Sequence, residues 1–368
     1  MMKQVKVGII GCGNISSIYL KNLKLFKSVD LVAVSDIDLK RAEAKAAEFG
    51  IFRALSPEKM LKDKEIKIIV NLTVPKVHKE VAMAAIRAGK SVYNEKPLAI
   101  TREDGKKIIT SAKKKGVLVG CAPDTFMGAG LQTVRRIIDS GEIGRPVAAT
   151  AFLMGAGPEG WHPNPEFFYQ KGGGPLFDMG PYYITALVNL IGPVKRVTSS
   201  AQISFKERIK GSEPKKGKRI KVEVPTHVAG VLDFKAGAVG TIIVSFDVKA
   251  AGLPRMEIYC EKGTISVPDP NTFNGPVKIK RSNKGEWEDI ALTYGYSDNS
   301  RGLGVADMAY ALMSGRKHRA SGELAFHVLD VMQSLHEASE KGKHIMLSTT
   351  CAKPEAMVKG LKAFELEK

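Results

Sequence analysis

Two short segments carry the side-chain types that proton chemistry on an alcohol needs. NEKP, Asn94 to Pro97, sets Lys96 directly before a proline, and GGGPLFDMGPYY, Gly172 to Tyr183, carries Asp178 and Tyr182 behind three glycines. A phenol ionises near ~10 when unperturbed, too high for a ready base at neutral pH, and a neighbouring ammonium lowers that value. Lys96 is the cation suited to that task and can also hold a substrate oxygen, while Asp178 can orient a second hydroxyl or pair with Lys96. The glycines let bulky rings approach the backbone. If a helix begins near Asp178, then Asp178 and Tyr182 stand at i and i+4 on one face, and Tyr183 points elsewhere. The plainer alternative is that Asp178 caps that helix while Tyr182 fills a gap in the core.

Some scaffold must bring residue 96 to residue 178. The first third alternates strand-like and helix-like runs: Val5 to Ile10, a helix with Ile15, Ile18, Tyr19 and Leu23 on its apolar side, then Leu31 to Asp36 and KRAEAKAAEFG. Ile66 to Thr73, KEVAMAAIRAG, Ser91 to Pro97, a helix across Asp104 to Lys115, and Val117 to Ala122 continue the series. Such alternation predicts an α/β fold with a doubly wound parallel sheet. Gly11, Gly13 and Ser16 occupy the G-x-G-x-x-small positions straight after the first strand, with Asn14 and Ile15 between them. Gly11 permits the tight turn, Gly13 lets the backbone approach a pyrophosphate, and the helix N-terminus stabilises the phosphates. Asp36 ends the second strand, placed to bind a ribose diol, which favours NAD over NADP; Arg41 nearby keeps NADP as the alternative. Two more strand ends face the same crevice. Thr73 and Pro75 shape one turn and His78 opens the helix after it, while Glu95 and Lys96 precede Pro97 at the other, where a cis bond is allowed. Glu95 and Lys96 are therefore expected at the nicotinamide.

From Pro123 the character changes, so domains at 1–122 and 123–368 are expected. A Gly/Pro/aromatic loop, GAGPEGWHPNPEFFYQKGGGP, leads into the glycine segment, and the β-patterned runs beyond it imply a mostly antiparallel sheet with helices near Val305 to Met313 and Glu323 to Lys341. Trp161 and His162 are candidates to line a substrate site, with Asp124 a third at the domain junction. No His or Cys has partners at metal-ligand spacing, so no metal is expected. The chain carries four scattered cysteines and no CxxC pair, which suits a reducing cytoplasm. No window holds about 18 uninterrupted apolar residues, and the N-terminal apolar run is short and strand-like, so neither a membrane span nor a secretory leader is expected. The net charge is +18, but lysines are scattered; the one dense basic run, Lys206 to Lys221, is broken by Gly and Pro and is expected to be a solvated loop rather than a nucleic-acid site.

With the glycine fingerprint, NLTVPKVH, EKP and GGGPLFDMGPYY in this order, the chain resembles the glucose–fructose oxidoreductase/inositol dehydrogenase (Gfo/Idh/MocA) family over nearly its whole length. The resemblance implies an N-terminal Rossmann domain and a C-terminal α/β domain whose large, open, mostly antiparallel sheet supports a homo-oligomer, a dimer or tetramer. It also implies hydride transfer between nicotinamide and a sugar, polyol, cyclitol or cyclic diol. The family's EKP lysine falls on Lys96 and the acid of its glycine motif on Asp178; many members carry histidine four residues later, where this chain has Tyr182. CAPDTF at Cys121 to Phe126 departs from an arginine-containing segment of many relatives. Within the same resemblance stand a glycosidase that works through tightly bound NAD and transient sugar oxidation, and a non-catalytic nucleotide- or sugar-binding protein.

Overall fold

A computed structural model describes residues 4–361 and 363–367. Val5–Ile10 is a continuous apolar run because a parallel strand inside a sheet is covered on both faces. It forms β1, joined in parallel by β2 (Val29–Ser35), β3 (Arg53–Leu55), β4 (Ile68–Asn71), β5 (Ser91–Asn94) and β6 (Val119–Cys121) in the order 3-2-1-4-5-6. The chain direction of the winding reverses between β1 and β4, whose carboxyl ends therefore open onto a crevice. The half-buried β3 carries no apolar run and was invisible to periodicity. Helices α1 (Ser16–Leu23), α2 (Leu39–Phe49), α3 (Pro57–Lys62), α4 (His78–Arg87) and α5 (Arg102–Lys115) connect these strands. Local chemistry sets their ends: Asp38 accepts from Arg41 N to start α2, and Gly50, at φ 62°, closes it. Thr101 and Gly116 do the same for α5.

The second half adds α6 (Ala129–Asp139), β7 (Pro146–Met154), α7 (Gly174–Asp178), α8 (Gly180–Ile191), β8 (Val194–Gln202), β9 (Glu207–Ile209), β10 (Arg219–Lys221), β11 (His227–Phe234) and β12 (Val239–Ser245). It ends with β13 (Met256–Cys260), β14 (Gly263–Val267), β15 (Val277–Lys280), β16 (Glu288–Ile290), α9 (Leu303–Ser314), α10 (Gly322–Lys341) and β17 (Ile345–Met346). Nine strands form one sheet in the order 16-15-14-13-7-12-11-8-17, antiparallel except for the β7–β12 pair. Alternate residues of β11 are buried, so one face packs on helices and the other stays open. Every residue of α8 is buried.

The long helix α10 belongs to both halves. It packs on α5 and β6 of the parallel layer and on β8 and α8 of the second. The approach is close: a Cβ on Gly105 would lie 2.8 Å from Leu329 and 2.9 Å from Phe326. At its centre Asp330, fully buried, accepts Arg102 Nε on one oxygen at 2.5 Å. Its other oxygen accepts the backbone N–H and hydroxyl of both Ser348 and Thr349 at 2.8–3.0 Å.

The basic run is not a plain solvated loop. Its ends pair as the β9–β10 hairpin; Lys210 is fully buried and donates to Pro163 O, and Arg208 bridges Glu159 and Asp247. Buried charges need partners; the aromatic loop at residues 158–169 supplies Glu159 and Pro163 O, and Asp247, just after β12, supplies the third. The rest of the run, including the hairpin tip Lys215 to Arg219, is largely exposed as expected. Among the described residues no helix is long and apolar enough to cross a membrane, and no group of three or more His, Cys, Asp or Glu is placed to hold a metal ion.

Candidate active site

The carboxyl ends of β1, β4 and β5 meet the glycine segment at a cleft of about 340 Å³. From the parallel layer come Gly13, Asn14, Ile15, Thr73, Pro75, Glu95 and Lys96; from the second half come Asp178 and Tyr182. Lys96, before a cis bond to Pro97, donates to Asp178 Oδ1 at 2.6 Å and to Asp178 O at 2.7 Å. Its Nζ stands 5.4 Å from the centre of the Tyr182 ring. Lys96 and Asp178 thus meet across 82 residues of chain, with Tyr182 beside them.

The local geometry differs from the expected single helix. α7 stops at Asp178, Met179 breaks the axis, and α8 starts with Pro181 in its first turn. Proline lacks an N–H and is tolerated at a helix start but not inside one, so GP forces the break. Asp178 consequently caps nothing; α8 has no side-chain cap. Its carboxylate is left to Lys96.

The electrostatics also correct one expectation. Burial pushes the Tyr182 phenol above its ordinary value and Glu95 adds to the push, against Lys96 and Arg301, which pull it down. Burial wins. For Lys96 burial works against the charge, yet Asp178, Tyr182 and Glu95 together raise the ammonium above its ordinary value. The pair is a firmly charged lysine beside a protonated phenol.

Around the trio, Glu95 accepts Tyr19 Oη at 2.8 Å on one oxygen and Lys96 N at 2.9 Å on the other, fixing the turn. His78 is buried beneath the cleft, with Nδ1 2.7 Å from Pro97 O and Nε2 2.9 Å from Thr73 O, so it ties the two strand-end turns together. Asp124 is buried too. Its carboxylate accepts Gly302 N and Gly304 N at 2.9 Å each at the start of α9, and burial lifts it to about 6. Trp161 is 69% exposed and does not line the cleft; His162 stacks edgewise on Phe167 and Phe168, which do. Neither phenylalanine was singled out from the sequence, where they are two aromatics among several in one loop. Arg301, whose charge pulls the Tyr182 phenol down, was also missed: it lies in the irregular stretch YSDNSRG, which has no periodicity to read.

The glycine turn fits a dinucleotide. Gly11 has φ 105°, and a Cβ there would lie 2.7–2.8 Å from the backbone of Leu72 and Thr73. A Cβ at Gly13 would meet nothing within 4 Å, which leaves the space a pyrophosphate needs. No side chain caps the start of α1, so its N–H groups remain for an anion. Asp36, nearly buried, accepts Cys12 N at 2.8 Å and Asp38 N at 3.0 Å, and Arg41 stands 3.7 Å away.

Residues 5–122 match the family model described as the oxidoreductase family, NAD-binding Rossmann fold, and residues 131–266 match the GFO/IDH/MocA C-terminal domain. The chain is 32% identical over 177 residues to a 1,5-anhydro-D-fructose reductase of Ensifer adhaerens, covering 47% of this chain and 52% of that one. It is 26% identical over 263 residues to a myo-inositol 2-dehydrogenase of Thermotoga maritima, covering 71% and 74%. The chain thus spans about half the length of the first relative it matches. In fold it is similar to a levoglucosan dehydrogenase in complex with NADH, with a TM-score of 0.80 at 21% identity over 94% of this chain and 100% of that one.

Proposed function

The chain belongs to the GFO/IDH/MocA oxidoreductase family, and from that premise we propose that it is an NAD-linked oxidoreductase acting on a secondary hydroxyl, or the matching ketone, of a sugar, polyol, cyclitol or cyclic diol. The observation that carries the reading is the Lys96–Asp178 pair, 2.6 Å apart, opening with Tyr182 onto the cleft above the glycine turn. Bound nicotinamide supplies or accepts the hydride. Gly13, Asn14 and Ile15 would hold its pyrophosphate, Asp36 its ribose, and Thr73, Pro75 and Glu95 would wall the ring.

Lys96 holds the reacting oxygen, and Tyr182 moves its proton: the neutral phenol gives one to a forming alkoxide, and the phenolate takes one from an alcohol. Asp178 keeps Lys96 charged and in place and has a second oxygen for a neighbouring hydroxyl. Phe167 and Phe168 give a sugar face something to stack on. The chain assembles through the open face of its large sheet, where Phe152, Ile243 and Val231 are half-buried and apolar.

An absorbance screen of sugars, inositols and diols with NAD and NADP tests this. Substrate-dependent formation of NADH, with NAD preferred because Asp36 repels a 2′-phosphate, is expected. Turnover of a glycoside without added cofactor and without net nicotinamide reduction would replace the reading by the glycosidase one.

A further inference from the structure

The groups that can answer a substrate hydroxyl in the cleft are few. An ammonium has three N–H donors, and Lys96 Nζ spends two of them on Asp178 Oδ1 and Asp178 O. One donor is left for the reacting oxygen, which Tyr182 Oη shares. Asp178 has a second carboxylate oxygen, enough for one neighbouring hydroxyl. Beyond this trio the substrate side is hydrocarbon and backbone: Pro97, Phe167, Phe168, Gly172, Gly173 and Phe177.

The rings of that wall are held in place. Phe167 and Phe168 stack at 4.0 Å, Phe168 meets Phe246 edgewise at 6.4 Å, and Phe177 stacks on His336 at 5.9 Å. A Cβ on Gly173 would lie 2.6 Å from both Phe167 O and Phe168 O, so a side chain has no room there. Polar groups nearby are engaged elsewhere. Tyr169 Oη and Arg208 donate to Glu159, Asn164 N donates to His162 Nδ1, and Ser212 Oγ donates to His162 O. On the cofactor side Thr73 Oγ1 donates to Asn71 Oδ1 at 2.6 Å, and both oxygens of Glu95 already accept. At the rim Lys76 donates to Gln170 Oε1 at 2.7 Å.

Stacking does not separate a sugar's C–H face from a hydrocarbon ring, because both present carbon to a phenyl face. Hydrogen-bond supply does. A hydroxyl pressed against these rings loses its water and gains no partner, which costs roughly 5- to 150-fold in affinity for each one. We propose that the cleft selects a cyclic vicinal diol whose remaining ring is hydrocarbon, over a ring hydroxylated at every carbon, and that Phe167, Phe168 and Phe177 set the choice. The inference rests on the oxidoreductase reading and narrows its substrate class. In the oxidation direction one carbinol carbon loses a hydride to NAD, its oxygen loses a proton through Tyr182 to solvent, and an α-hydroxyketone remains. The second hydroxyl stays intact at Asp178.

Cyclohexane-1,2-diol and myo-inositol share one ring and differ in hydroxyl number, so they are the matched probes. NAD-loaded Tyr182→Phe keeps Lys96, Asp178 and the wall while turnover is slow, which permits calorimetric titration. The cis or the trans diol should bind on the order of 10²-fold more tightly than myo-inositol or D-glucose. In that background Phe167→Gln, at the half-buried ring of the three, should narrow the ratio about tenfold, and Phe167→Leu should keep it. Equal or tighter binding of myo-inositol or glucose, no binding of either diol, or a ratio unmoved by Phe167→Gln overturns the proposal. Turnover is read separately in the wild type. Diols that bind yet yield no NADH remove the oxidoreductase reading and leave the selection standing.

Discussion

Asp330 and Asp178 are both gripped by cations, and they differ in what is left over. Asp330 is 1% exposed and spends both oxygens, one on Arg102 and the other on four donors from Ser348 and Thr349. Asp178 is 22% exposed, is gripped through one oxygen by Lys96, and faces a cleft with a phenol beside it. A saturated buried carboxylate is structural cement, because every lone pair is answered and nothing is free to react. An ion pair with spare valence at the mouth of a cleft retains the capacity to bind and to move protons.

The largest effect should come from the open pair. Tyr182→Phe keeps the ring and removes the proton, so turnover should drop ~10²–10⁴-fold while the fold and NAD binding persist. Lys96→Met should be comparably damaging, and the double variant scarcely worse than the poorer single one, because the residues act as a unit. In the oxidation direction, activity should rise with pH as the phenol ionises, on the alkaline side because burial holds it up, and this limb should vanish in Tyr182→Phe. Steady-state kinetics across pH decide it.

The closed centre should break differently. Asp330→Ala leaves Arg102 with Glu337 as its remaining ion partner and strips the acceptor from the donors of Ser348 and Thr349, so a loss on the order of 3–5 kcal/mol is expected, most of it from the orphaned donors. Calorimetry should show a lowered Tm, with kcat per folded molecule unchanged.

A smaller effect is expected from His327, which touches the same centre through Thr349 Oγ1 at 3.0 Å and accepts Val194 N at 3.1 Å. Burial drives it down to about 4 from an ordinary value near 6.5, against the pull of Asp330. The unfolded chain therefore binds a proton that the folded chain refuses. This contribution is complete above pH ~6.5 and is lost as pH falls through about 4, a few kcal/mol at most by linkage. Chemical denaturation of wild type and His327→Gln over that window should show a shallower acid decline in the variant.

The smallest effect belongs to the hairpin tip. Replacing Lys215, Lys216, Lys218 and Arg219 with Ser should change stability by no more than ~0.5 kcal/mol, since exposed charges contribute little. Lys210→Ser on the same hairpin should cost more, because it leaves Pro163 O without its buried donor.

The same contrast explains what could be read from the chain. The cofactor turn was legible because Gly11, Gly13 and Asp36 obey one backbone rule over a contiguous strand–turn–helix unit. Lys96, Asp178 and Tyr182 were legible as types, and Asp178 meets Lys96 as one of the two expected possibilities. The break at Met179 was written in Gly180-Pro181 but was outweighed by the apolar periodicity that follows. The sign of the Tyr182 shift was not legible, since it depends on how much water the fold removes from one hydroxyl. Arg301 and the Ser348 and Thr349 partners of Asp330 come from loops whose meeting is decided only by tertiary packing. Nor did the basic run announce that Arg208 and Lys210 turn inward, because alternation over three-residue strands is too short to register.

One consequence follows from α10, which is packed against the parallel layer and the nine-stranded sheet at once. The two halves share a girder, so they cannot swing apart like the jaws of a hinge without tearing Leu329 and Phe326 from Gly105. The aromatic wall of the cleft is held as well: Lys210 and Arg208 tie the loop that carries Phe167 and Phe168 to the hairpin, so frame and wall together form a standing template.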